Sequence, residues 1–160
     1  MIKRTLVVVS FWAMAFTSIA QGNIYGHYEY KTECLNIEQD GSQTVLAWGQ
    51  GRNRLDAVAQ AKKNALYDVI FNGIRDGAGG CDVRPLVPTV NARRVYEDFF
   101  NKFFSDGGAF QKYVTVQDER IDQKLIRNRA RTRNDVTNGF VLRVLRPALK
   151  EYFQQEMIIK

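Results

Sequence analysis

Apolar and polar positions along the chain sort into short alternating runs and two longer stripes at helical spacing. His27-Tyr28-Glu29-Tyr30-Lys31-Thr32 reads as a strand, Asp40-Gly41 is a tight-turn signal, and Thr44-Val45-Leu46-Ala47-Trp48 returns, so residues 25–49 predict a β-hairpin. Tyr28, Tyr30 and Cys34 share one face of the first strand while Leu35 and Ile37 fall on the other. That mismatch predicts a bulge or register shift near Glu33, or a strand covered on both sides. A helix follows. Asn53 is placed to cap it with Asp56 in the first turn, and Leu55, Val58, Ala61, Ala65, Leu66, Val69 and Ile70 recur as one stripe. Ala57, Ala59, Ala61 and Ala65 raise helix propensity and let the axis approach a sheet closely. Gly73 and the run Asp76-Gly77-Ala78-Gly79-Gly80 end it.

Residues 77–91, with Pro85 and Pro88, predict a long surface loop within one domain. A second helix is expected over 92–105, where Val95, Tyr96, Phe99, Phe100, Phe103 and Phe104 form an apolar stripe that needs burial, before Gly107-Gly108 stops it. Tyr113-Val114-Thr115-Val116 and residues 125–133 are strand-like around an acidic, bent middle at Asp118-Glu119. Asn134-Asp135 and Asn138-Gly139 bracket a turn into Phe140-Val141-Leu142-Arg143-Val144-Leu145, and Pro147 opens a last helix through Leu149, Tyr152, Phe153 and Met157. The order β-β-α-α-β-β-α, without βαβ alternation, predicts an α+β domain with helices packed on one face of a mainly antiparallel sheet and the other face partly open.

The first 20 residues add a destination. Lys3 and Arg4 precede an uncharged apolar run over 6–16, and Ser18-Ile19-Ala20 places small residues where a signal peptidase reads, so cleavage after Ala20 leaves 21–160 as one domain, periplasmic or secreted. A retained anchor would need a run of roughly 20 apolar residues, longer than this one. Removing these residues takes away two bases and no acids, which lowers the net charge from +6 to +4. That is a mild basicity, suited to anionic surfaces and below what a dedicated nucleic-acid binder carries. Cys34 and Cys81 are the two cysteines, and an even count in an exported chain favours a disulfide between them, with two buried free thiols as the alternative. With His27 as the single histidine they match no zinc spacing, and no metal site is expected.

No catalytic motif emerges. Gly49-x-Gly51 stands where dinucleotide folds place their phosphate turn, but Arg54 occupies the third glycine position and the element order is wrong, so no nucleotide cofactor, and no cofactor of another kind, is expected. A small anion at that helix N-terminus, near Arg52 and Arg54, is a residual option. His27 is the only imidazole available to a nucleophile, and there is no Gly-x-Ser-x-Gly elbow. Acid pairs drawn from Glu29, Glu33, Glu38, Glu97 and Asp98 carry no specificity, and Asp76 and Asp82 lack the ligand order of a calcium loop.

The unusual local feature is basic. Arg127, Arg129, Arg131 and Arg133 project from one face of a strand at a period of two, and Arg143 on the next strand is expected to join them. Such a stripe suits an anionic polymer, a lipid headgroup or an acidic partner; equally, it suits a solvated outer face paired with Glu29 or Glu33 that discourages edge-to-edge aggregation.

Val45-x-Ala47-x-Gly49-x-Gly51 followed by Ala57, Ala61 and Ala65 resembles the opening of the envelope domains at the N-terminus of the flagellar assembly protein FlgT and of related small outer-membrane lipoproteins. The strand over 141–145 running into a helix with Leu149 and Phe153 is similar as well. The resemblance implies an α+β bacterial envelope domain used for assembly or interaction without catalysis, and it carries over no functional residue. The expectation is therefore an exported, non-enzymatic interaction module with an envelope protein or an anionic surface as partner. An uncovered sheet face would also suit a homodimer.

Overall fold

The computed structural model describes residues 31–117, 130–132 and 135–159. Six strands, β1 (Glu33–Ile37), β2 (Gln43–Gly51), β3 (Asp76–Gly77), β4 (Val114–Val116), β5 (Ala130–Thr132) and β6 (Asp135–Val144), form one sheet. Its order is β3-β1-β2-β6-β4, with β5 also on β6. Four α-helices accompany it: α1 (Arg54–Tyr67), α2 (Ala92–Val95), α3 (Glu97–Phe103) and α4 (Arg146–Gln155). A π-helical turn over Asp68–Asn72 extends α1, and a 3-10 turn over Ala109–Tyr113 precedes β4. The fold is α+β. Every strand pair is antiparallel except β1 with β3, which run parallel over two residues, so the sheet is mixed; the element order departs from the expected one by that extra strand, a broken second helix and three strands instead of two before the last helix.

The hairpin of β1 and β2 turns where Asp40-Gly41 predicts it. Glu38 and Ser42 close the loop, Gly41 holds φ 78°, and the Asp40 carboxylate accepts from the Ser42 N–H at 2.9 Å. The expected irregularity lies in β1, where the register shifts between Cys34 and Asn36. The strand begins at Glu33, later than expected; residues 27–30 lie outside the described residues, as do positions 1–20 with their export features. No helix among the described residues is long and apolar enough to cross a membrane.

Residues opposite one another across antiparallel strands share a face, which places Cys34, Val45, Ala47, Val114, Phe140, Leu142 and Val144 together on the helix side. All seven belong to one core with the helices. Asn53 caps α1 as expected, its side chain accepting from the Asp56 N–H at 3.0 Å. The helix rests directly on β2, because a Cβ on Gly49 would collide with the Ala57 carbonyl and Ala61, and one on Gly51 with Asp56 and Ala57. Small residues on both partners therefore set the spacing. Leu55 corrects the predicted stripe: it is 79% exposed, because it stands about 200° around the helix from Ala57, the residue the glycines admit.

Asp68–Asn72 winds one residue wider and stops at Gly73, whose N–H bonds the Asp68 carbonyl at 2.7 Å. Gly73 has φ 73°, and a Cβ there would meet the Val83 carbonyl. Residues 77–91, expected to run over the surface, turn inward instead. Leu86 and Val87 are buried, and their N–H groups bond the carbonyls of Val69 and Ile70 at 2.9 Å, satisfying a helix end that would otherwise lack partners. The predicted single helix over 92–105 is broken at Tyr96 (φ −115°, ψ 41°), which leaves Val95 63% exposed while Phe100, Phe103 and Phe104 enter the core. Asn138-Gly139 is also corrected: it lies inside β6 and makes no turn. Gly139 stands opposite Trp48, and a Cβ there would meet Leu46 Cδ1 at 3.2 Å and indole carbons at 3.4 Å, so the glycine leaves room that Leu46 and the ring fill.

Candidate functional site

Among the described residues, those singled out by sequence do not converge. Arg127, Arg129 and Arg133 lie outside the described residues. Arg131 is in β5 opposite Val136, seven positions along β6 from Arg143, so the register puts positions 131 and 143 on opposite faces of the sheet. Arg143 is instead committed to the hairpin turn, with its Nη2 on Asp40 Oδ2 at 2.6 Å. The Asp40 carboxyl titrates below its ordinary value, chiefly through the hydrogen bonds from Ser42 and then through Arg143. His27 and Glu29 lie outside the described residues.

At the α1 N-terminus, the Asn53 side chain already takes the Asp56 N–H, and Arg52 Nε bonds the Asp56 carboxylate at 3.2 Å. Arg54 lies over the Phe140 ring at 5.7 Å. Among the acids weighed, Glu38 accepts from Thr44 Oγ1 at 3.0 Å, Asp76 pairs with Lys31 at 3.5 Å and Asp82 with Arg146 at 3.0 Å. No group of three or more metal-ligating side chains occurs among the described residues.

Two constellations were invisible in the sequence. Arg146 joins three segments: its guanidinium bonds the Val69 carbonyl at 3.4 Å, the Arg84 carbonyl at 3.1 Å and Asp82. Asp68 accepts from Thr32 Oγ1 and from Asn72 Nδ2, at 2.5 and 2.8 Å. Burial pushes the Asp68 carboxyl above its ordinary value, and those two hydrogen bonds only partly oppose it. Arg146 fastens backbone, whereas Asp68 ties two side chains together. The Asn64 amide also fastens backbone, donating to the Trp48 carbonyl at 2.7 Å and so tying α1 to β2.

Cys34 and Cys81 form a disulfide, with Cα atoms 5.7 Å apart. Both are buried, at 3% and 6% exposure, and the Cys81 N–H lies 3.0 Å from Cys34 Sγ. The bridge fastens the inward loop to β1 beside the parallel strand β3.

The aromatic cluster is the other large feature. Phe100, Phe103 and Phe153 are fully buried, with Phe100 and Phe153 edge-to-face at 5.9 Å. It comes to the surface as half-buried rings from three elements: Phe99 of α3, Tyr152 of α4 and Tyr113 of the 3-10 turn. A shallow depression beside it is lined by residues 94–99 at the break between α2 and α3.

Comparison with family models, with curated proteins and with solved structures gave no match to this chain.

Proposed function

We propose that the protein is an exported bacterial envelope domain that works as an interaction or assembly module and not as an enzyme. The buried Cys34–Cys81 disulfide carries this reading, since such bridges form and persist in oxidising compartments. It agrees with the basic, apolar and small-residue succession over positions 1–20. The polar side chains most deeply engaged give further support: Asp68, Asn64 and Arg146 are used on backbone and on neighbouring structural groups, not gathered around a cleft where a reacting atom could sit. Arg143 held by Asp40 weakens the competing reading, in which an arginine face binds an anionic polymer or headgroup.

Cell fractionation combined with thiol alkylation tests the proposal. The expected product is a chain shortened by the first 20 residues, found in the periplasm or medium, with both cysteines blocked to alkylation until reduced. An unshortened chain with reactive thiols in the cytoplasm would overturn it.

A further inference from the structure

The aromatic core of this domain is interior over most of its extent, but one row of rings comes to the surface. Tyr152 is its centre. Its ring centroid lies 5.3 Å from Tyr113 with planes 23° apart, and 6.0 Å from Phe99. Phe103 backs the row, near-parallel to Tyr152 at 6.1 Å and to Tyr113 at 6.2 Å. Phe103 is 2% exposed, whereas Phe99, Tyr113 and Tyr152 are half-buried. Two exposed carboxylates stand near Tyr152 along the chain, Glu151 within α4 and Glu156 at its C-cap.

We infer that the row Phe99, Tyr152 and Tyr113, flanked by Glu151 and Glu156, docks the cationic side chains of a basic segment on a partner protein. The inference rests on the interaction-module reading and names the chemistry of the partner. Aromatic faces carry negative charge density and attract guanidinium and ammonium groups. Arginine adds planar stacking and weak hydration, and its methylene stem covers apolar ring surface. The carboxylates supply the countercharge. Charge complementarity is local: the ionisable neighbours acting on the Tyr113 phenol are Tyr152, Glu156 and Glu151. Both phenols titrate above their ordinary value, first through burial and then through these neighbours. Three elements far apart in sequence contribute the rings, so the surface exists only when the domain is folded.

The test is titration of the purified protein with an oligo-arginine peptide, an oligo-lysine peptide and a neutral glycine-serine peptide of equal length, following the aromatic NMR signals. The expected result is that oligo-arginine binds best, oligo-lysine less well and the neutral peptide not at all, with shifts at Tyr113 and Tyr152 and weakening as salt rises. Glu151→Gln combined with Glu156→Gln, both at exposed positions that folding does not need, should weaken oligo-arginine binding about tenfold. Tyr152→Phe, which keeps the ring, should retain most of it. Equal binding of the neutral peptide, full affinity in the double variant, or shifts confined to another face would each overturn the inference. Site-specific photo-crosslinking in cells separates this from the underlying reading. A partner joined through a different face sinks the docking surface and leaves the module standing, whereas no partner through any face sinks the module.

Discussion

Asp68 shows how a single residue here is spent on architecture. Its carboxylate holds Thr32 and Asn72 at the point where α1 widens into the π-helical turn, and burial raises its titration above the ordinary range. The native state therefore keeps a proton that the unfolded chain has already lost. Stability falls as pH rises from the ordinary carboxylate value through the raised one, and the loss is complete above the raised one. Asp68→Asn keeps an acceptor for Asn72 and offers Thr32 a donor, so denaturant unfolding should find the variant more stable than wild type at about pH 7 and the difference gone near about pH 3. Gly49 is the steric counterpart. Gly49→Ala drives a methyl into the Ala57 carbonyl and Ala61, and should cost about 3 kcal/mol in the same measurement, with α1 displaced from β2. The alanines of α1 were legible as allowing close packing on a sheet, but Gly49 and Gly51 as the residues they meet were not, because a spacing does not say which atoms meet across a sheet-helix interface.

Elements that read clearly in the sequence are those whose stabilising contacts are local. The α1 start is one, since the Asn53 side chain accepts from the Asp56 N–H within a single turn. The Asp40-Gly41 hairpin is another. Elements that depended on distant chain came out differently: the helix expected over 92–105 breaks at Tyr96, and the loop before it folds inward to cap the end of the α1 extension. Arg146 belongs to this second group, since it fastens α4 to that loop and to the Val69 carbonyl from a side chain only 14% exposed. Arg146→Leu preserves bulk and removes the donors; it should lower stability by about 2 kcal/mol and raise proteolytic cutting within 81–88. A variant as stable and as resistant as wild type would show that the loop is held by Leu86 and Val87 alone.

For the whole molecule, the disulfide is a covalent constraint within the core that ties the inward loop to β1. The residues it joins are 47 apart in sequence, and a loop of that size contributes about 4 kcal/mol in the chain-entropy model. Reduction should therefore lower the thermal midpoint markedly while the helical signal persists below it, and Cys34→Ala with Cys81→Ala should match the reduced protein. Equal midpoints for oxidised and reduced protein would remove the bridge as a stabilising element.

The amino-acid order by itself determined the α+β class, the hairpin turn, the capped first helix, the pairing partners for a bridge and the want of a recognisable reaction motif. All of these follow from neighbours in the chain or from composition. Tertiary structure alone decided that Arg143 answers Asp40 and stands across the sheet from position 131, that Gly139 leaves room for Leu46 and an indole and makes no turn, and that Phe99, Tyr113 and Tyr152 surface together. The reason is physical: which face a strand residue occupies depends on register, and register is set by the pairing of strands far apart in the chain.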